Sequence, residues 1–157
     1  MMKKLFVFIT LFFLFSCQDG PRAAFNEEFE KVNPRVELSF DRLIGNYELD
    51  NDSKQRFKIN DSIKYYIKIT KDTSIVAQPF INFTTNKNIR EKKGKLFYIN
   101  DYKKRPYSLY LDSKDGNWNN NINIYYRKKD HLLALYIYIP PLKGQEHGDY
   151  LRYIKVK

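Results

Sequence analysis

Between Ser62 and Thr70 the chain places Ile63, Tyr65, Ile67 and Ile69 at alternate positions, with Lys64, Tyr66, Lys68 and Thr70 between them. Residues two apart share one face of an extended strand, so this order makes one wall apolar and the other wet. Similar segments run over Leu43 to Leu49, Ser74 to Thr84, Lys95 to Asn100, Tyr107 to Asp112, Asn121 to Arg127, His131 to Ile139 and Tyr150 to Val156. About eight strands are predicted. Lys71-Asp72-Thr73, Asp115-Gly116 and Lys128-Lys129-Asp130 are too short to hold a crossover helix, so consecutive strands pair antiparallel. The expected fold is all-β: an antiparallel eight-stranded barrel or strongly curled sheet, since closure removes both exposed edges. Closure turns on whether Leu43 to Leu49 pairs with Tyr150 to Val156; an open sheet or sandwich fits the same pattern.

Upstream of the strands the period differs. Phe25, Phe29 and Val32 fall at i, i+4 and i+7 and Asn33-Pro34 follows, which predicts one short helix from Ala23 to Val32 that packs Phe25 and Phe29 on the domain. Ahead of it, Gln18 to Arg22 reads as a tether. At the start, Lys3-Lys4 precede eleven uncharged residues, Leu5 to Phe15, and then Ser16-Cys17. This is the layout of an export signal and is too short for a membrane span of about 20 apolar residues.

Leu14-Phe15-Ser16-Cys17 resembles the lipobox of bacterial lipoproteins, which implies cleavage after Ser16 and acylation of Cys17. Asp149-Tyr150-Leu151-Arg152-Tyr153, running into Lys155-Val156-Lys157, is similar to the last strand of small lipoproteins of the Bacteroidetes type. The expected organisation is therefore a signal peptide over 1–16, a lipidated Cys17 with tether and short helix over 17–42, and a β-barrel-like domain over 43–157. The resemblance implies a chain anchored in the bilayer through Cys17, at the outer membrane, on its periplasmic face or at the cell surface. Leu43-Ile44-Gly45-Asn46-Tyr47-Glu48-Leu49 resembles the opening strand of lipocalin-like barrels, where a helical turn leads into Gly-x-Trp; here Tyr47 stands at the tryptophan position.

Cys17 is the only cysteine. Once it is acylated the mature chain has no thiol, which excludes disulfides, thiolate metal sites and a cysteine nucleophile. Removing Lys3 and Lys4 with the signal lowers the formal charge from +10 to +8. A basic surface favours anionic partners, and it also discourages edge-to-edge association of strands.

No catalytic motif is found: there is no nucleophile elbow, phosphate-binding glycine loop or His-Glu-x-x-His. Asp112-Ser113-Lys114-Asp115-Gly116 fails as a calcium loop because Lys114 stands at a ligand position. His131 reads as the rim of a hairpin. His147, within Gln145-Glu146-His147-Gly148-Asp149, lacks a defined metal spacing. No enzyme, metal or cofactor is expected. Asp61-Ser62-Ile63 resembles the short acceptor for O-glycosylation of exported Bacteroidetes proteins.

Aromatics make up 17% of the chain, and all 13 tyrosines follow Cys17. Several lie opposite the aliphatic wall, so Tyr66, Tyr136 and Tyr138 with Lys64, Lys68, Arg127 and His147 are the candidate ligand-binding residues. Two functions are expected from this face. One is a non-enzymatic binding module for an amphiphilic, saccharide or anionic ligand; the other is an immunity or inhibitor-type lipoprotein that binds an acidic partner protein. The first needs a tyrosine-lined cavity, the second a filled barrel and an exposed loop, for which Pro140 to Asp149 is the candidate. Aromatics between basic residues also suit single-stranded nucleic acid, but an exported domain would rarely meet it, so no nucleic acid is expected.

Overall fold

The computed structural model describes residues 25, 29–33, 36–82, 87–98, 108–112, 120–141 and 143–156. The signal segment, Cys17, the tether and the Asp115-Gly116 turn lie outside them. In chain order the elements are β1 (Glu30–Lys31), α1 (Phe40–Leu43), β2 (Gly45–Leu49), α2 (Asn51–Arg56), β3 (Tyr66–Ile69), β4 (Ser74–Gln78), β5 (Phe80–Asn82), β6 (Lys87–Ile89), β7 (Lys92–Tyr98), β8 (Ser108–Asp112), β9 (Asn120–Arg127), β10 (Leu132–Ile139) and β11 (Asp149–Lys155).

Eight of these strands form one antiparallel sheet that curls back on itself. The pairings run β2–β3–β4–β7–β8–β9–β10–β11, and β11 returns to β2 with Tyr153 opposite Leu49 and Lys155 opposite Tyr47. The strand expected first thus pairs with the one expected last. Strand β9 gives Asn120 to Asn123 to β8, and beyond them Tyr125 and Tyr126 to β1. Strands β5 and β6 make a separate hairpin.

Alternation decides which side faces in. Tyr65, Ile67 and Ile69 are buried while Lys64 and Lys68 are exposed, and Leu135, Ile137 and Ile139 point to the opposite side of β10 from Tyr136 and Tyr138. The interior is filled by Tyr47, Ile67, Ile75, Ile122, Ile124 and Leu135, each 0% exposed. These six side chains therefore border no water-sized void.

Helix α1 leads directly into Gly45-Asn46-Tyr47, the order that the lipocalin-like resemblance implies. The Tyr47 hydroxyl donates to the Leu43 carbonyl at 2.8 Å, which ties the end of α1 to β2 inside the core. Lys155 reaches across from β11, donating to the Arg42 carbonyl at 2.5 Å with its ammonium 6.0 Å from the Tyr47 ring centroid. Gly45, at φ +140°, makes room for it: a Cβ there would lie 3.0 Å from Lys155 Cε.

Three sequence expectations are corrected. The helix over Ala23 to Val32 is not continuous, because Glu30–Lys31 is a strand on β9. Phe29 and Val32 would share a face in a helix, but here they enter opposite clusters, as an odd spacing requires of an extended chain. Ser74 to Thr84 is not one strand, because Pro79 has no N–H to continue the ladder and separates β4 from β5. The first alternating segment enters the sheet only at Tyr66, since Asn60 and Asp61 to Ser62 form a turn closed by Asn60 Oδ1 accepting from the Ser62 N–H at 2.9 Å.

Candidate functional site

The outer wall of the sheet carries the residues expected to bind a ligand, and it divides into two regions. Tyr136 and Tyr138 lie on β10 and Arg127 on β9, whereas Tyr66 and Lys68 lie on β3 with Lys64 just before it. The register runs Tyr66, Glu48, Ile154, Ala134 from β3 to β10. Three strand spacings of about 4.8 Å therefore separate the two groups by about 14 Å.

The β9–β11 region is already occupied. Phe25 stands edge-on to Tyr136 with ring centroids 5.4 Å apart at 86°, and Tyr125 lies 4.3 Å from Tyr136 on the other strand. Three guanidinium groups close over the phenylalanines: Arg152 lies 4.5 Å from the Phe25 centroid, Arg56 5.3 Å from it, and Arg127 4.9 Å from that of Phe29. Phe25 and Phe29 do pack on the domain as expected, but they cover Tyr136 and Arg127 in doing so. The expectation of an open aromatic face is corrected here, because a phenylalanine of the same chain takes the stacking position first.

The charges of this region are also matched. Asp50 caps α2 by accepting from the Ser53 N–H at 2.8 Å, and its other carboxylate oxygen accepts from Arg152 Nε. Arg152 Nη2 donates to Asp52 at 2.6 Å, and the Arg152 N–H donates to the Ser53 hydroxyl at 2.9 Å. Arg56 holds both oxygens of Asp149, at 2.7 and 2.6 Å, and Arg127 holds Asp130. Burial pushes Arg152 down to about 10, so it remains a cation at neutral pH. Burial also raises the Asp50 carboxyl, against the hydrogen bonds from Ser53. Each of these three arginines is thus held on a carboxylate.

The β3–β4–β7 region is open. Lys68 of β3, Val76 of β4 and Lys93 of β7 stand in one cross-strand row, with Asn46 of β2 on the far side of Lys68. Lys95 follows two residues along β7 on the same face, opposite Ser74. Lys64, Lys68, Lys93 and Lys95 are exposed and Tyr66 is half-buried among them. Lys93 pairs with Glu91 at 2.5 Å, and the hydrogen bond it donates holds the Glu91 carboxyl below the usual range. Lys64 and Lys68 have no acidic partner among the described residues, and Lys95 stands opposite Asp112 of β8. Two strand spacings put Lys68 and Lys93 about 10 Å apart, and Lys93 and Lys95 are about 7 Å apart along the strand.

Tyr138, further along β10, lies outside the cluster around Phe25, and His147 belongs to neither region. Tyr138 is exposed at 37%, meets Tyr150 at 5.4 Å between centroids, and lies against Gly148 at the end of the loop from β10 to β11. His147 is exposed on that loop, and no group of three His, Cys, Asp or Glu among the described residues is placed to hold a metal ion. His131, at φ 55°, is the hairpin rim expected, with Nδ1 hydrogen-bonded to the Tyr126 hydroxyl.

Sequence reasoning found Lys64, Tyr66 and Lys68 but missed Lys93 and Lys95. The alternation of Lys93, Gly94, Lys95 and Leu96 was the available signal, hidden by starting the strand at Lys95. It also missed Arg152, whose neighbours Asp50 and Ser53 lie about 100 residues away in the chain. Compared with family models, with curated proteins and with solved structures, the chain matches none.

Proposed function

We propose that the chain is a membrane-anchored envelope lipoprotein, held by an acylated Cys17, that acts as a non-enzymatic binding module for an acidic partner protein. The observation that carries this reading is the exposed lysine wall of Lys64, Lys68, Lys93 and Lys95, in which Lys64 and Lys68 have no acidic partner among the described residues. Lysines spread over adjacent strands raise the local potential and favour an anionic surface of matching breadth.

Of the two expected functions, the geometry favours surface recognition. Among the described residues the interior is packed with aliphatic side chains and tyrosine, and the aromatic region of the outer wall is covered by Phe25 and Phe29. A small ligand would have to displace one or the other. A protein surface needs neither.

The test compares wild type with Lys64→Glu/Lys68→Glu/Lys95→Glu as bait in envelope extract. An acidic protein should bind wild type, be released by raised salt, and be lost with the triple variant, whose circular dichroism stays unchanged. Capture that is indifferent to the three lysines would reject the reading.

A further inference from the structure

The unmatched charge of the lysine wall is not spread evenly over it. On the β7 side Lys93 is held by Glu91, and Lys95 stands opposite Asp112 of β8. Gln78, the β4 neighbour of Tyr66, donates its amide to the same Glu91. The two lysines without an acidic partner among the described residues, Lys64 and Lys68, stand two positions before and two positions after Tyr66. The chain is extended through all three, since the Tyr65 carbonyl accepts from the Leu49 N–H at 2.9 Å and β3 follows. Lys64 and Lys68 therefore lie about 13 Å apart on one face, with Tyr66 midway.

Tyr66 differs from the tyrosines around it. Tyr65 is in the interior and Tyr136 lies under Phe25, whereas Tyr66 belongs to neither hydrophobic cluster of the described residues and keeps part of its surface exposed. A ring placed so gains contact when a partner covers it. Toward β2 the surface changes sign and then polarity. Glu48 stands opposite Tyr66, and beyond it on β11 come half-buried Ile154 and exposed Val156, whose N–H donates to the Asn46 carbonyl at 2.9 Å. Glu48 restricts what can dock. A carboxylate brought to the centre of this patch meets Glu48, while carboxylates at its two ends meet Lys64 and Lys68, and the like-charge contact selects against the first arrangement.

We infer that the acidic partner docks with an apolar side chain on Tyr66 and two carboxylates about 13 Å apart, one on Lys64 and one on Lys68, so that Tyr66 and not the β7 side of the wall is the centre of recognition. This rests on the acidic-partner reading of the wall and names the pattern that the wall selects. In an extended segment of the partner, about 13 Å is four residues, so acidic, apolar and acidic side chains at alternate positions share the docking face. The two lysines supply the attraction that salt screens. The ring supplies contact that salt leaves in place.

The probes are two pentapeptides of identical composition, blocked at both ends, with phenylalanine third. One has glutamate first and last; the other has glutamate second and fourth, with serine at the remaining positions. Each is titrated into the full chain in zwitterionic detergent micelles and followed by amide and tyrosine-ring resonances. The first peptide should bind several-fold more tightly than the second, with its shifts centred on Lys64, Tyr66 and Lys68. Tyr66→Ala should weaken the first peptide about tenfold, and Lys93→Gln should leave its affinity unchanged. Equal binding of the two peptides, no binding of either, or shifts centred on Lys93 and Lys95 would overturn the inference. The comparison of the peptides on wild type decides the matter even where the Tyr66 variant does not fold. Failure of the acidic-partner reading is seen separately, in capture from envelope extract that is indifferent to Lys64→Glu/Lys68→Glu/Lys95→Glu. Capture that needs those lysines but tolerates Tyr66→Ala leaves that reading standing and removes Tyr66 as its centre.

Discussion

Arg152 and Phe25 are in face-to-cation contact at 4.5 Å, while the same guanidinium donates to Asp50 and Asp52. One residue of β11 thus joins the N-terminal segment to the capped end of α2. Its side chain is 8% exposed and that of Asp50 is 9%, so the ion pair is largely withdrawn from water.

Removing one member of a buried pair leaves the other charged and unpaired, at a cost of about 3–5 kcal/mol. Arg152→Ala is expected to lose stability in that range by urea denaturation, and Arg152→Met less, because it fills the space between Phe25 and the sheet. A loss below about 1 kcal/mol for the alanine variant would mean that the pair contributes little.

Phe25→Ala should uncover Tyr136, which is 1% exposed in the folded chain. The expected loss is about 3 kcal/mol, as for other buried phenylalanines. Nitration followed by peptide mapping checks the mechanism: Tyr136 should react in the variant and be protected in wild type. Equal protection in both would remove Phe25 as its cover.

Gly148 touches the Tyr138 ring so closely that an added Cβ would lie 2.3 Å from its hydroxyl oxygen. Because Tyr138 is on the rim, Gly148→Ala should swing the ring away at a cost of no more than about 1 kcal/mol, the worth of one aromatic pair. Ring resonances of Tyr138 and Tyr150 should both shift in NMR spectra. Unmoved resonances would show that the loop is not held there.

The β3–β4 turn has a pH signature. Asp72 accepts from the Ser74 hydroxyl at 2.6 Å and from the Thr70 hydroxyl at 2.5 Å, and these bonds pull its carboxyl down to about 2. A depressed carboxyl stabilises the fold above its unfolded pKa of about 3.9, and this contribution fades as pH falls toward 2. Carboxyl chemical shifts followed through an acid titration should give a midpoint near 2 for Asp72. A midpoint near 4 would dissolve the assignment.

Much of the fold was legible because burial repeats with period two. Ile67 and Ile69 against Lys64 and Lys68, or Leu135 and Ile137 against Tyr136, announce both strand and face. Helix α2 was not legible, since Asn51-Asp52-Ser53-Lys54-Gln55-Arg56 has no apolar residue to show a period; only Asp50 as a cap marked it. The segment before β2 was misread for a related reason. Phe25, Phe29 and Val32 have helical spacing, but local spacing does not reveal that the edge of β9 beyond Asn123 was open for β1 to pair with.

The sequence by itself determined the eight strands of the curled sheet, most of their inward and outward residues, and the basic character of the surface, because each depends on neighbours within a few positions. Only the tertiary structure decided that β11 meets β2, that Phe25 and Phe29 cover Tyr136 and Arg127, and that Arg152 goes to Asp50. It also decided which cations remain exposed. These outcomes join residues about 100 positions apart, where the competition is between side chains for one partner: the arginines found carboxylates and phenylalanines on their side of the barrel, and Lys64 and Lys68 found none among the described residues on theirs.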